Sequence, residues 1–327
     1  MASLLALGSV AFGGVQQLGT GVAHATNYGQ GYVLFAQDGG VFNFGNVGFH
    51  GSIYDYGYGV STETWLKNPW VSGAVTSDKG GYWAVTKDEK ICAFGDAAAD
   101  TYPSSGAVYS QNSCWINQDS TAPTDIVGMA SAGAGSGTTN VCPAGTQCSY
   151  WLVGADGGVF AFGNAGYYGS IPATLSTSHP IHLNAPIVGM AATPDDKGYW
   201  LVGSDGGVYS FGDATFYGSM GGKSLNAPIV GMATENGWTG TGYWLVGADG
   251  GIFSFGAASY FGSMGGTTLA QPVVGVIASS DGGGYLEVAA DGGIFTFGDF
   301  AYQGAQSGGG HASTNPTPNA VVAASGS

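Results

Sequence analysis

Positive charge is what this chain most lacks. Lysine and arginine together number 6 in 327 residues, against 21 aspartates and glutamates, and the formal net charge is −15. Nucleic-acid binding draws on cations that displace counterions from phosphates, so no nucleic-acid partner is expected. The same shortage works against adsorption to anionic lipid. Charged residues of both signs make up only 8% while aromatics reach 13%, the reverse of a disordered composition. Long apolar runs are scarce as well. Past the N-terminal segment none is long enough to span a bilayer. No CxxC spacing occurs and no histidine lies within four residues of a cysteine, so no metal centre is expected. His179 and His182 stand three apart, with no carboxylate cluster beside them. There is no GxSxG and no serine with an evident histidine and aspartate partner. No catalytic residue and no cofactor are assigned.

Glycine is what the chain has in excess: 62 residues, where an average chain carries about 7%. The glycines alternate with Val, Ile, Tyr, Phe and Trp, which reads as many short strands joined by tight turns. The order is repetitive. "GYWLVGSDGGVYSFGDATFYGSM" at 198–220 returns almost unchanged from Gly242 as "GYWLVGADGGIFSFGAASYFGSM". Six copies share one ungapped register. Tyr32, Tyr82, Tyr150, Tyr199, Tyr243 and Tyr285 open them; Asp38, Asp88, Asp156, Asp205, Asp249 and Asp291 follow. Each copy then reaches a Phe-Gly, at Phe44, Phe94, Phe162, Phe211, Phe255 and Phe297. The copies lie near 31–52, 81–97, 149–170, 198–220, 242–264 and 284–305. Each reads as a hairpin turning at Asp-Gly, with a type I′ turn expected. An apolar run such as "APIVGMA" precedes it, and a downstream "FYGSM" is expected as a fourth strand. Four strands in a period of about 42–50 residues match one β-propeller blade. The expected fold is all-β: a six-bladed propeller of four-stranded antiparallel blades, closed by pairing of the termini. The run at 320–324 would supply the innermost strand of the blade begun at Gly31.

The unit resembles a Gly/Asp/aromatic repeat of secreted actinobacterial proteins, often found beside cell-wall hydrolase domains, and is similar to propeller repeats of the WD40, NHL and YVTN-like group. The resemblance spans about residues 31–305. It implies the propeller fold and assigns no catalytic motif, and propellers serve as enzymes, lectins and scaffolds alike.

Residues 1–25 read as a signal peptide: an apolar stretch from Leu4 to Phe12, then Ala23-His24-Ala25 as a small-x-small cleavage pattern. The basic n-region is missing, which fits a truncated start. A rival reading makes Gly21–Thr26 a strand of the fold. Residues 26–327 then form a single domain. Four cysteines in loop-like segments suit an oxidising compartment. The local pairing is Cys142 with Cys148 and Cys92 with Cys114, one of three possible connectivities. Together these features point to a secreted or cell-surface monomer.

The six register aspartates read as turn formers. Trp83, Trp151, Trp200 and Trp244 recur at one position and read as packing between blades. Asp88-Glu89-Lys90 breaks the Asp-Gly-Gly pattern. Trp65, Trp70, Trp115 and Trp238 lie outside the register and are the candidate ligand-binding residues, since exposed aromatic faces stack on sugar C–H surfaces. The expected function is a non-catalytic binding module for an extracellular glycan or envelope polymer. Two alternatives stay open: an extracellular hydrolase or lyase at a central channel mouth, and a protein-interaction scaffold.

Overall fold

The computed structural model describes residues 24–25, 31–53, 69–76, 79–87, 89–97, 113–116, 125–132, 149–174, 180–235, 241–305 and 321–326. Within them the chain is all-β, arranged as six small sheets in sequence. In units two to six the first, second and third strands follow chain order. They are Trp70–Val75, Gly81–Thr86 and Lys90–Gly95; Ile126–Ala132, Ser149–Gly154 and Val159–Phe162; Ile187–Ala192, Gly198–Gly203 and Val208–Gly212; Ile229–Thr234, Gly242–Gly247 and Ile252–Gly256; and Val273–Ala278, Gly284–Ala289 and Ile294–Gly298. In unit one, Gly31–Ala36 and Val41–Gly45 are joined by the C-terminal strand Val321–Gly326, which pairs antiparallel with Gly31–Ala36. The expected partner for the first hairpin is therefore the observed one. His24–Ala25 runs parallel on the other side of that strand, against Ser325 and Gly326.

The middle strands are buried along their whole length, "GYWLVG" at 198–203 and 242–247 among them. Such continuous apolar runs belong to strands covered on both faces. Burial weakens toward the third strands, where Ile252–Gly256 and Val41–Gly45 are mostly half-buried. The core therefore lies along the first two strands and is divided into six clusters. Each cluster sits between two successive sheets, and one of them joins Tyr32 and Leu34 of the first sheet to Ile277, Leu286 and Phe300 of the last. The first strands adjoin one another in the same order, and Val321–Gly326 adjoins both Val273–Ala278 and Trp70–Val75. Each first strand carries one register shift against its neighbour, such as that between Ile187 and Gly189, a β-bulge repeated in all six units.

Two details differ from the sequence expectation. Four of the sheets have three strands, not four. The segment expected as the fourth, Phe216–Met220, forms no ladder, because Gly218 sits at φ 131° and its neighbours bond elsewhere, as described below. Among the described residues only unit two adds an outer strand, Ser113–Ile116 on Lys90–Gly95. The hairpin turn also differs. A type I′ turn needs positive φ at both central residues, and here the aspartates are absent from the positive-φ residues. Positive φ falls on the glycine after each aspartate: Gly39, Gly157, Gly206, Gly250 and Gly292. With Gly206 N–H donating to Gly203 O and Gly203 N–H to Gly207 O, both at 2.8 Å, the loop is a type I turn closed by a glycine bulge. Unit two keeps this geometry with Glu89 at φ 61°.

Candidate functional site

The large hydrophobic side chains exposed to solvent among the described residues are Phe49, Tyr167, Phe216, Tyr260 and Tyr302, at 52–61% exposure. All five occupy one repeat position, the fifth residue after the phenylalanine of Phe-Gly. Unit two carries Ala99 there. Scattered exposed aromatics are ordinary on a protein surface; the same exposure at the same position in five units is a property of the repeat.

The backbone around these rings is held on both sides. One residue before, a carbonyl accepts the indole N–H of the unit's own tryptophan: Trp151 to Gly166, Trp200 to Thr215 and Trp244 to Ser259, each 2.8 Å. One residue after, a backbone N–H donates to the tyrosine hydroxyl that opens the next unit: His50 to Tyr82, Tyr168 to Tyr199, Tyr217 to Tyr243 and Phe261 to Tyr285, at 3.1–3.2 Å. The same hydroxyls donate to the glycine carbonyl one residue further on. Tyr199 reaches Gly169 at 2.5 Å, Tyr243 reaches Gly218 at 2.6 Å and Tyr285 reaches Gly262 at 2.5 Å; Tyr82 bonds Gly51 and Tyr32 bonds Gly304 likewise. Burial pushes the hydroxyls of Tyr32, Tyr199 and Tyr285 up to about 12, so they stay protonated donors. The exposed ring is thus mounted on a loop tied to two units, and little conformational freedom is left for a ligand to freeze out. Polar groups stand beside the rings: Tyr167 Oη lies 3.0 Å from Ser170 Oγ and Tyr260 Oη 3.2 Å from Ser263 Oγ.

The residues singled out from sequence fall elsewhere. Trp70 is 2% exposed and packs edge-on against Phe35 and Phe94 in the core between units one and two, where it has no face to offer a ligand. Its place at the head of a first strand accounts for this. Trp115 lies on the outer strand of unit two, opposite Ile91. Trp65, Trp238, Cys142 and Cys148 lie outside the described residues. Cys92 is disulfide-bonded and faces Cys114 directly across the ladder. The register tryptophans Trp83, Trp151, Trp200 and Trp244 are buried between units as expected, each within 5.2–5.8 Å of the next unit's opening tyrosine ring. The aspartates are turn residues: Asp38, Asp156, Asp205, Asp249 and Asp291 each accept the N–H two residues on, at 2.8–3.1 Å.

One carboxylate breaks the repeat from within. Glu287 replaces the leucine found at Leu34, Leu152, Leu201 and Leu245 and is completely buried. Its Oε1 accepts Met264 N–H at 3.4 Å and its Oε2 has no partner. Burial pushes its carboxyl up to about 8, helped by Asp249 nearby. It faces the seam between units five and six, sealed from any substrate.

The five rings are legible in the sequence, since the fifth residue after the phenylalanine of Phe-Gly is aromatic in every unit but one. What the sequence did not carry was their orientation. No group of three or more His, Cys, Asp or Glu gathers as a metal site among the described residues, and none of their helices is long and apolar enough to cross a membrane. No family model matches the chain, and no curated protein matches it.

Proposed function

We propose that the chain is a secreted, non-catalytic binding module, a six-bladed β-propeller whose ligand is a carbohydrate or cell-envelope polymer. One observation carries the functional reading: five aromatic rings stand exposed at one repeat position, each on a loop braced by the next unit. Large exposed apolar groups carry a solubility liability, and a repeat that keeps one in five of its six units points to use. Isolated rings flanked by hydroxyls suit sugars, whose C–H faces alternate with polar edges. The propeller reading is supported by the order of the six clusters and by the C-terminal strand on Gly31–Ala36. Export is supported by the disulfide at Cys92, for which the facing Cys114 is the fitting partner, whereas the pairing of His24–Ala25 with the C-terminal strand favours the reading of Gly21–Thr26 as a strand of the fold.

A glycan array probed with the intact chain and with a variant replacing all five rings by alanine tests this. Glycan binding by the parent, lost in a variant of unchanged fold, is expected. Equal binding by both would overturn the assignment of the site.

A further inference from the structure

The ring loops carry no lysine or arginine of their own, and Lys223 reaches one of them from just beyond, its Nζ donating to Ser219 O at 3.0 Å. Residues 45–53, 163–170, 212–220, 256–264 and 298–305 hold not one lysine or arginine, and Asp213 and Asp299 stand within them. A loop so composed, on a chain of net charge −15, repels an anionic ligand. What each offers is a ring face and backbone groups, with a serine hydroxyl beside Tyr260 at 3.2 Å. These are contacts that suit an uncharged sugar, and so few cations beside them favour a neutral polymer over an acidic one.

The number and equivalence of the rings add a second constraint. Five copies of one loop, carried by successive units and tied to each other by the same tyrosine bridge, present five near-identical contacts on a single rigid frame. One ring engages one or two sugar residues weakly. A chain of identical sugars long enough to reach from one loop to the next would engage several rings at once, and linked contacts raise apparent affinity by about 10²–10⁴ without any new interaction. A small ligand gains nothing from such repetition.

Resting on the binding reading above, we infer that Phe49, Tyr167, Phe216, Tyr260 and Tyr302 form one array of five equivalent subsites for a neutral, repeating polysaccharide, with unit two, at Ala99, as the gap. The ligand is the polymer; a free oligosaccharide is its weak monovalent fragment.

The test is a titration of the intact chain with chitin, cellulose and a linear β-1,3-glucan, each as bead-bound polymer and as soluble hexamer, with alginate as the polyanion. Variants remove one, two, three and five rings (Phe216→Ala, then Tyr260→Ala, Tyr167→Ala, and Phe49→Ala with Tyr302→Ala), and Tyr167→Phe keeps the ring as a control. At least one neutral polymer is expected to bind, with affinity falling about tenfold per ring removed. The matching hexamer should lose stoichiometry in whole steps from five, with its affinity per site unchanged. Tyr167→Phe should bind as the parent does, and alginate should not bind. A hexamer stoichiometry of one, or a polymer affinity blind to ring number, overturns the array while leaving glycan binding in place. Binding to alginate alone overturns the neutral class. Failure of every polymer overturns the binding reading itself.

Discussion

Glu287 stands where four other units carry leucine, and the substitution has a cost that depends on pH. The free carboxyl oxygen is buried against the Asp249-Gly250 turn: a Cβ on Gly250 would lie 2.8 Å from it. The ionisable groups around it are Asp249 and Tyr285, neither of which can neutralise a negative charge. With its carboxyl raised to about 8 from an ordinary 4.5, the folded state holds a proton that the unfolded state releases. Its contribution is fully present below about pH 4.5 and is lost as pH rises through about 8, by up to about 1.4 kcal/mol per pH unit across that window. Glu287→Leu restores the residue of the other units and should be more stable than the parent at pH 8 by about 2–5 kcal/mol. Urea unfolding of both chains at pH 5 and pH 8 checks this, and equal differences at the two values would refute it. Residues whose role is local are legible in sequence, the turn position if not the turn type. An aspartate before two glycines announces a turn whatever surrounds it. Glu287 and Trp70 were opaque because their roles depend on what the next sheet places against them.

At the scale of the element, the loop after each third strand matters most. Its run of aromatics with a glycine and a serine reads as strand by propensity, and the expectation of a fourth strand followed from that. The loop's hydrogen bonds go instead to a tyrosine hydroxyl from the neighbouring unit, with Gly218 at φ 131° and Gly262 at φ 131° turning the chain away from a ladder. A second bond pins the loop end to the hairpin turn, Met220 N–H to Gly206 O at 2.8 Å. Tyr243→Phe removes one donor and one acceptor together and leaves Gly218 O and Tyr217 N–H without their shared partner. The expected loss is about 1–2 kcal/mol of stability, measured by thermal unfolding. Glycan affinity should also weaken, since Phe216 is then less firmly held. A Tyr243→Phe chain as stable as the parent would show that the bridge does not order the loop. Three strands per unit were legible in the sequence; the brace was not, because it is a contact between units some 25 residues apart.

For the whole molecule, repetition is both the means of folding and the means of display. Each unit buries its faces only against its neighbours, so no sheet has a core of its own. The last sheet needs the first, and Val321–Gly326 supplies the strand that the first hairpin lacks. Equivalent packing then forces equivalent exposure: whatever one braced loop presents, the others present too. This is why six repeated all-β units are legible in the register alone, while the exposed rings are not marked by any break in it. Trp70, outside the register, is core, and the exposed rings lie in the part of the unit that is kept.

Hydroxyl-radical footprinting of the intact chain, with and without a bound neutral polysaccharide, tests the account most directly. Phe49, Tyr167, Phe216, Tyr260 and Tyr302 should be oxidised in the free chain and protected together by the polymer, while buried Tyr199 and Tyr243 react in neither state. Protection centred on Trp65 or Trp238, with the five rings reacting as before, would contradict it.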